Sequence, residues 1–243
     1  KEENREWDLK VPSYVIVANY SKKISDYKSL YQFIKSNKID NIIIGGYTLP
    51  FTCFLIFLSK LQKKDVYFWL ERPMNKQSRI KKFFKFLYLK FILRCAKKIF
   101  AIGKLAFEIY KKYNTNVVDL PYSMQLEKFY DIQRDNKNQI INFLFSGQYI
   151  DRKNILNTIN AFKQVDNKNI RLNIIGGGEL KEEVSKLIKD DSRINNLGFV
   201  QPHELPEVYA NNDIFLMPSK HDGWALVINE AMASAMPIIS TNK

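Results

Sequence analysis

Three short segments in the second half of the chain carry residue types suited to a phosphorylated, hydroxyl-rich ligand. In the first, Phe145-Ser146-Gly147-Gln148-Tyr149 reads as a strand end, followed by Asp151-Arg152-Lys153-Asn154 and a helix from Ile155. A cation at a helix start beside a strand-end loop can neutralise a diphosphate, with Lys153 as the principal charge and Arg152 as helper. The second is Gly176-Gly177-Gly178-Glu179, where glycines let backbone approach a ligand without a Cβ in the way. It is not a G-x-G-x-x-G run, so a dinucleotide fingerprint is not supported. The third is a strand stopping at Pro218-Ser219, then Asp222 in a loop and Glu230 eight residues later in a helix over 226–235. Val227, Ala231, Ala233 and Ala235 surround Glu230, and a carboxylate near apolar packing is costly unless hydrogen-bonded, which points to ligand hydroxyls. The amides of Ala225, Leu226 and Val227 are expected to face a phosphate from the helix start. Taken singly, each segment has a structural alternative: a solvated basic loop, turn glycines, or an N-capping Asp222 with a surface Glu230.

The first half offers weaker signals. Asn41 to Tyr47 ends in a Gly45-Gly46 turn, and Phe68 to Pro73 is a second strand end presenting Glu71 and Arg72. The sequence RIKKFFKFLYLKFILR, residues 79–94, concentrates positive charge. At about 100° per residue Ile80, Phe84, Leu87 and Phe91 share one face, read as a core stripe, while Lys81, Lys82 and Lys85 lie opposite among Tyr88, Leu89 and Ile92. A basic and apolar face suits a bilayer surface; burial under another part of the protein is the alternative.

These segments need a scaffold, and the chain's periodicity supplies one. Strand-like runs at 14–18, 41–44, 66–70, 99–102, 117–120, 141–146, 171–175, 194–197, 214–217 and 237–240 alternate with helical stretches at 26–35, 77–96, 105–113, 155–165, 180–189 and 226–235. Most runs are uniformly apolar, as parallel strands covered on both faces are, so the expected fold class is α/β, with two Rossmann-like doubly wound parallel sheets. The polar segment 127–139 separates them, which predicts a first domain over 1–130 and a second over 138–243.

Composition narrows the classes further. Of 243 residues 46% are hydrophobic and 26% charged, which excludes a wholly disordered chain. Net charge of +13 favours an anionic partner, against the alternative of a merely basic surface. No recognition helix, zinc finger or aromatic RNA-binding strand is found, so nucleic acid is not the expected partner. The longest apolar run, residues 49–59, is too short to span a bilayer, and Lys1 to Lys10 carry no signal pattern. Cys53 and Cys95 read as packed thiols in a reducing cytoplasm.

Together the three segments resemble the donor domain of family-4 retaining glycosyltransferases of the GT-B fold, the group 1 glycosyl transferases. The counterparts are Gly147 to Lys153, Gly176 to Glu179, Leu197-Gly198-Phe199-Val200, Pro218-Ser219 with Asp222-x7-Glu230, and Glu230-Ala231-Met232-Ala233-Ser234-Ala235-Met236-Pro237. The resemblance covers residues 140–240 most strongly and implies a chain truncated at both ends, with both domains incomplete. It implies transfer of a sugar from a UDP- or GDP-sugar to an acceptor hydroxyl of a lipid-linked or cell-envelope glycan, with retention. Lys153 would bind the donor diphosphate, Asp222 the donor-sugar hydroxyls and Glu230 the ribose, with backbone at Gly198, Phe199 and Val200 at the base. Gly45, Gly46 and Glu71 would lie on the acceptor side. No Asp-x-Asp motif stands at a plausible site, so neither a metal nor another cofactor is expected. The expected location is the cytoplasm, peripheral to the inner face of the plasma membrane. The chain departs from the family pattern at Gln148, where an Arg is usual, and at Asp222, where a Glu is usual. Three rivals remain: a catalytically silent nucleotide-sugar-binding subunit, a nucleotide-sugar epimerase, and a membrane-surface adaptor.

Overall fold

The computed structural model describes residues 24–47, 51–73, 79–130, 132 and 139–242. The strand expected at 14–18 and the middle of the polar segment lie outside them. The chain forms two compact units, dividing between Ser123 and Met124.

The first unit holds a four-stranded parallel sheet in the order β1 (Asn41–Ile44), β2 (Asp65–Leu70), β3 (Lys98–Ala101), β4 (Val117–Asp119). Parallel neighbours need crossovers, and α2 (Phe51–Leu61), α3 (Arg79–Arg94) and α4 (Lys104–Tyr110) supply them, with α1 (Ile24–Ser36) ahead of the first strand. The apolar run at 51–61 forms a helix whose period is hidden in the sequence by apolar residues all round. Ile44, Phe68, Leu70, Ile99 and Ala101 pack with Leu55, Leu89, Ile92 and Tyr110 into one core. The opposite face departs from the expectation of two covered faces. Ile43 is 62% exposed, and Trp69 and Val118 are also open to solvent among the described residues. The same unit reverses the expected phase of α3. Leu89, Ile92 and Leu93 are buried, whereas Phe84, Leu87 and Phe91, read as the core stripe, are exposed. A helix apolar on two sides has a period but no sequence-encoded choice of face; packing against the sheet makes that choice.

The second unit is a five-stranded parallel sheet in the order β7-β6-β5-β8-β9, where β5 is Ile141–Ser146, β6 Ile170–Ile175, β7 Ile194–Gly198, β8 Ile214–Met217 and β9 Ile238–Ser240. Successive side chains of β5 point to opposite faces. Phe145 packs with Ile155, Ile159 and Phe162 of α6 (Ile155–Lys163) and Val184 of α7 (Lys181–Ile188). Leu144 packs with Phe129 of α5 (Glu127–Tyr130), Tyr209 of α8 (Leu205–Ala210) and Ala231 of α9 (Leu226–Ala233). Phe129 also explains why the division falls earlier than the polar segment suggests. Its ring is buried 5.2 Å from that of Tyr209, so residues 127–130 belong to the second unit. The chain leaves β5 toward β7 and then returns to β5's other side with β8. The loops after β5 and β8 therefore diverge to opposite faces, which opens a crevice at the strand carboxyl ends.

Candidate functional site

A cavity of about 650 Å³ occupies that crevice. Gly147, Gln148, Arg152, Lys153, Gly176, Gly177, Phe199, Val200, Val227 and Glu230 all line it. Lys153 and Glu230, 77 positions apart by their numbering, thus face one space.

The lysine is placed by a sharp local turn. Asp151–Lys153 is a single 3-10 turn, and Asn154 next to it has φ 62 and ψ 26, linking the turn to α6. Asn enters the left-handed region more readily than most residues. The Lys153 stem lies beside Gly147, where an added Cβ would sit 3.7 Å from its Cδ and Cε.

The loop after β8 is fastened to this turn. Lys153 Nζ forms an ion pair with Asp222 Oδ2, and Arg152 Nη1 lies 3.4 Å from the same oxygen. Arg152 Nη1 also donates to the His221 carbonyl at 2.9 Å, the Lys220 amide donates to the Arg152 carbonyl at 2.9 Å, and Lys220 Nζ meets Asp151 Oδ1 at 2.5 Å. Burial alone would raise the Asp222 pKa. The Lys153 hydrogen bond, the charges of Lys153 and Arg152 and the Ala225 amide outweigh it and hold the carboxyl below its ordinary value. A depressed folded-state pKa gives stabilisation that is complete at neutral pH and lost only as pH falls below about 4.

The three glycines divide into two kinds. A Cβ on Gly176 would sit 2.0 Å from the Gly147 carbonyl oxygen, and one on Gly178 would sit 2.7 Å from that of Tyr149, both at positive φ. These two let the β6 loop pack against the β5 loop. Gly177 has nothing within 4 Å, so its missing side chain opens the cavity itself.

On the far wall Glu230 is half-buried, with Oε2 accepting a hydrogen bond from the Tyr209 hydroxyl at 2.8 Å. The alternative of a surface Glu230 does not hold. Tyr209 and Leu205 went unnoticed because α8 was not recognised; Pro206 at its start was the available signal. Tyr149 was read as part of a loop, yet it is buried and its hydroxyl donates to Asn196 Oδ1 at 2.9 Å.

Four expected residues lie outside the cavity wall. Asp222 reaches the site only through Lys153 and Arg152. Ala225, at φ 51 and ψ 54, donates its amide to Asp222 Oδ1 at 3.3 Å, so that N–H is directed at the protein's own carboxylate rather than at a ligand. Leu226 is exposed. Gly198 supports the wall from behind, its carbonyl accepting the Gly176 amide at 2.7 Å.

Gly45, Gly46 and Glu71 lie at the carboxyl edge of the first unit's sheet. The Glu71 carboxylate accepts from Tyr122 at 2.7 Å, and its carbonyl accepts from Tyr110 at 2.7 Å. Among the described residues no group of three or more His, Cys, Asp or Glu is placed to hold a metal ion, and no helix is long and apolar enough to cross a membrane.

Two parallel α/β units, one with a cavity at its topological switch point, match the fold of GT-B structures. The family model for glycosyl transferases group 1 matches residues 127–243, a little under half of this chain. An uncharacterized 41.2 kDa protein in the cps region of Klebsiella pneumoniae is 29% identical over 195 residues, 78% of this chain and 50% of that protein. The amylovoran biosynthesis glycosyltransferase AmsD of Erwinia amylovora is 26% identical over 126 residues, 51% of this chain and 35% of that protein. The chain therefore spans half the length or less of these relatives. The structure of Anabaena Alr3699/HepE in complex with UDP-glucose superposes with a TM-score of 0.65 at 14% identity, covering 89% of this chain and 63% of that one.

Proposed function

We propose that the protein transfers a sugar from a nucleoside-diphosphate sugar to an acceptor hydroxyl, with retention and without a metal. The observation that carries this reading is the shared cavity of Lys153 and Glu230 at the β5/β8 crevice. In the reaction the bond from the anomeric carbon to the diphosphate breaks with its electron pair going to the phosphate oxygen. The acceptor oxygen bonds to that carbon and its proton is released. Charge builds on the departing diphosphate, so fixed cations in a shielded crevice lower the barrier more than groups that act equally on bound substrate. Lys153 and Arg152 take that role, and the donor diphosphate competes with Asp222 for both. Arg152 offers a guanidinium where Gln148 leaves the family's usual Arg absent. Glu230 receives the ribose hydroxyls and Phe199 with Val200 flank the base. Relatives from a cps region and from amylovoran biosynthesis support a glycan or lipid-linked acceptor of the cell envelope.

A thermal-shift series of the full-length protein with UDP-, GDP- and ADP-sugars tests the donor class. One nucleotide series is expected to raise the melting temperature, since a ligand at a hundred times its dissociation constant adds about 2.7 kcal/mol to the folded state. Radiolabel transfer to a lipid extract should follow with the same donor. No shift with any of the three would refute the reading, and binding without transfer would leave a silent subunit.

The first unit supports a peripheral membrane location. Phe83, Phe84, Leu87 and Phe91 are exposed on α3 beside exposed Lys90 and Arg94. Such a face binds anionic bilayers by apolar insertion and charge together. Vesicles containing phosphatidylglycerol are expected to sediment the protein several-fold better than neutral ones, and Phe84→Ser with Phe91→Ser to remove most of that binding. Equal sedimentation with both vesicle types would count against it.

A further inference from the structure

The buried phenol of Tyr209 has a polar end where packing alone would ask for none. Tyr209 is fully buried, its ring stacked on Phe215 at 5.8 Å and 14° and edge-on to Phe129 at 5.2 Å. A phenylalanine would fill this slot equally well. A hydroxyl set in an aromatic cluster is unfavourable unless bonded, and here it donates to Glu230 Oε2 at 2.8 Å. The Ser146 side chain, at the end of β5, lies beside the same phenol. Ser146 and Glu230 both line the cavity. The phenol thus meets a strand end and the carboxylate on α9 from behind the wall.

From this geometry we infer that Tyr209 is the positioning residue that turns Glu230 into a receptor for the two vicinal hydroxyls of a nucleotide ribose. The inference rests on the nucleotide-sugar reading above. A glutamate side chain has several rotatable bonds, and ordering it at the moment of binding costs affinity. Tyr209 removes part of that cost in advance, because its ring is held by two aromatic neighbours and its hydroxyl holds one carboxylate oxygen. Burial and the Glu230 charge push the phenol pKa well above its usual value, so the group stays a donor throughout the physiological range. A donated hydrogen bond also favours the ionised carboxylate, the better acceptor for a diol.

The test is to measure binding of UDP and 2′,3′-dideoxy-UDP, with the guanosine pair in parallel, to full-length wild type and Tyr209→Phe. The unmodified protein should prefer the ribonucleotide. Tyr209→Phe should weaken ribonucleotide binding about tenfold, as loss of a hydrogen bond to a charged group does, and leave the dideoxy analogue unchanged. In a Glu230→Gln background the Tyr209 substitution should add little, because the two residues act as one unit. Equal weakening for both nucleotides would assign Tyr209 to packing alone and overturn the inference, as would an unchanged ribonucleotide affinity. If Tyr209→Phe does not fold, Ser146→Ala, which removes a neighbour of the same phenol, should narrow the preference, and an unchanged preference would again overturn it. Failure of the unmodified protein to bind either diphosphate would refute the underlying nucleotide-sugar reading.

Discussion

Replacing Lys153 by alanine is expected to lower the rate of sugar transfer about a hundredfold, the usual loss when one preorganised charge-stabilising group is removed. The effect stops short of a larger value because Arg152 remains near the same position, 3.4 Å from Asp222 Oδ2. It should fall mainly on turnover, since charge on the departing diphosphate is greater in the transition state than in the bound donor. The substitution also strips Asp222 of its main partner, so some thermal stability will be lost as well. Steady-state kinetics and melting curves for Lys153→Ala, Asp222→Asn and the double variant separate the two consequences. The double variant should recover stability and remain slow. Turnover near the unmodified rate in Lys153→Ala would remove this lysine from the chemistry.

The second large effect concerns folding. Gly176→Ala is expected to destabilise the second unit by about 3 kcal/mol or more and lower its melting temperature by roughly 10 °C. The added methyl would meet the Gly147 carbonyl oxygen at 2.0 Å, and at φ +134 the backbone itself disfavours any side chain. Neither backbone can yield easily, because the Gly147 amide is bonded to Ile175 at 3.1 Å and the Gly176 amide to Gly198 at 2.7 Å. Gly177→Ala is the matched control: with open space around its Cβ position it should melt within about 0.5 kcal/mol of the unmodified protein. Its methyl would instead project into the cavity and weaken donor binding. Matching melting temperatures for the two variants would contradict this division of the glycines.

How much of this was legible beforehand depends on the range of the interaction. β1, β5 and β8 have the ends that alternation alone predicts, and the other described strands differ by a residue or two at their ends. Those features are local: a short β-branched run ended by Gly or Pro declares a strand whatever surrounds it. The strand-end loops were legible for the same reason, because parallel topology brings every such loop to one edge of the sheet.

The remainder needed the folded chain. The pairing of Lys153 with Asp222 joins residues 69 apart, and that of Tyr209 with Glu230 joins a helix not foreseen to one that was. The Ala225 amide looked ready for a phosphate by its position at a helix start, yet a carboxylate three residues earlier takes it. Gly176, Gly177 and Gly178 are identical letters, and only the approach of the β5 loop makes two of them obligatory for packing and one an opening.

By itself the amino-acid sequence determined the α/β alternation, the parallel sheets and the set of loops available to bind a ligand, since each follows from spacing within a few residues. The tertiary structure alone decided which face of α3 is buried, where the two units divide and which carboxylate faces the cavity. Those outcomes are set by side chains that meet across the sheet, where burial and hydrogen bonding between distant residues outweigh any local preference.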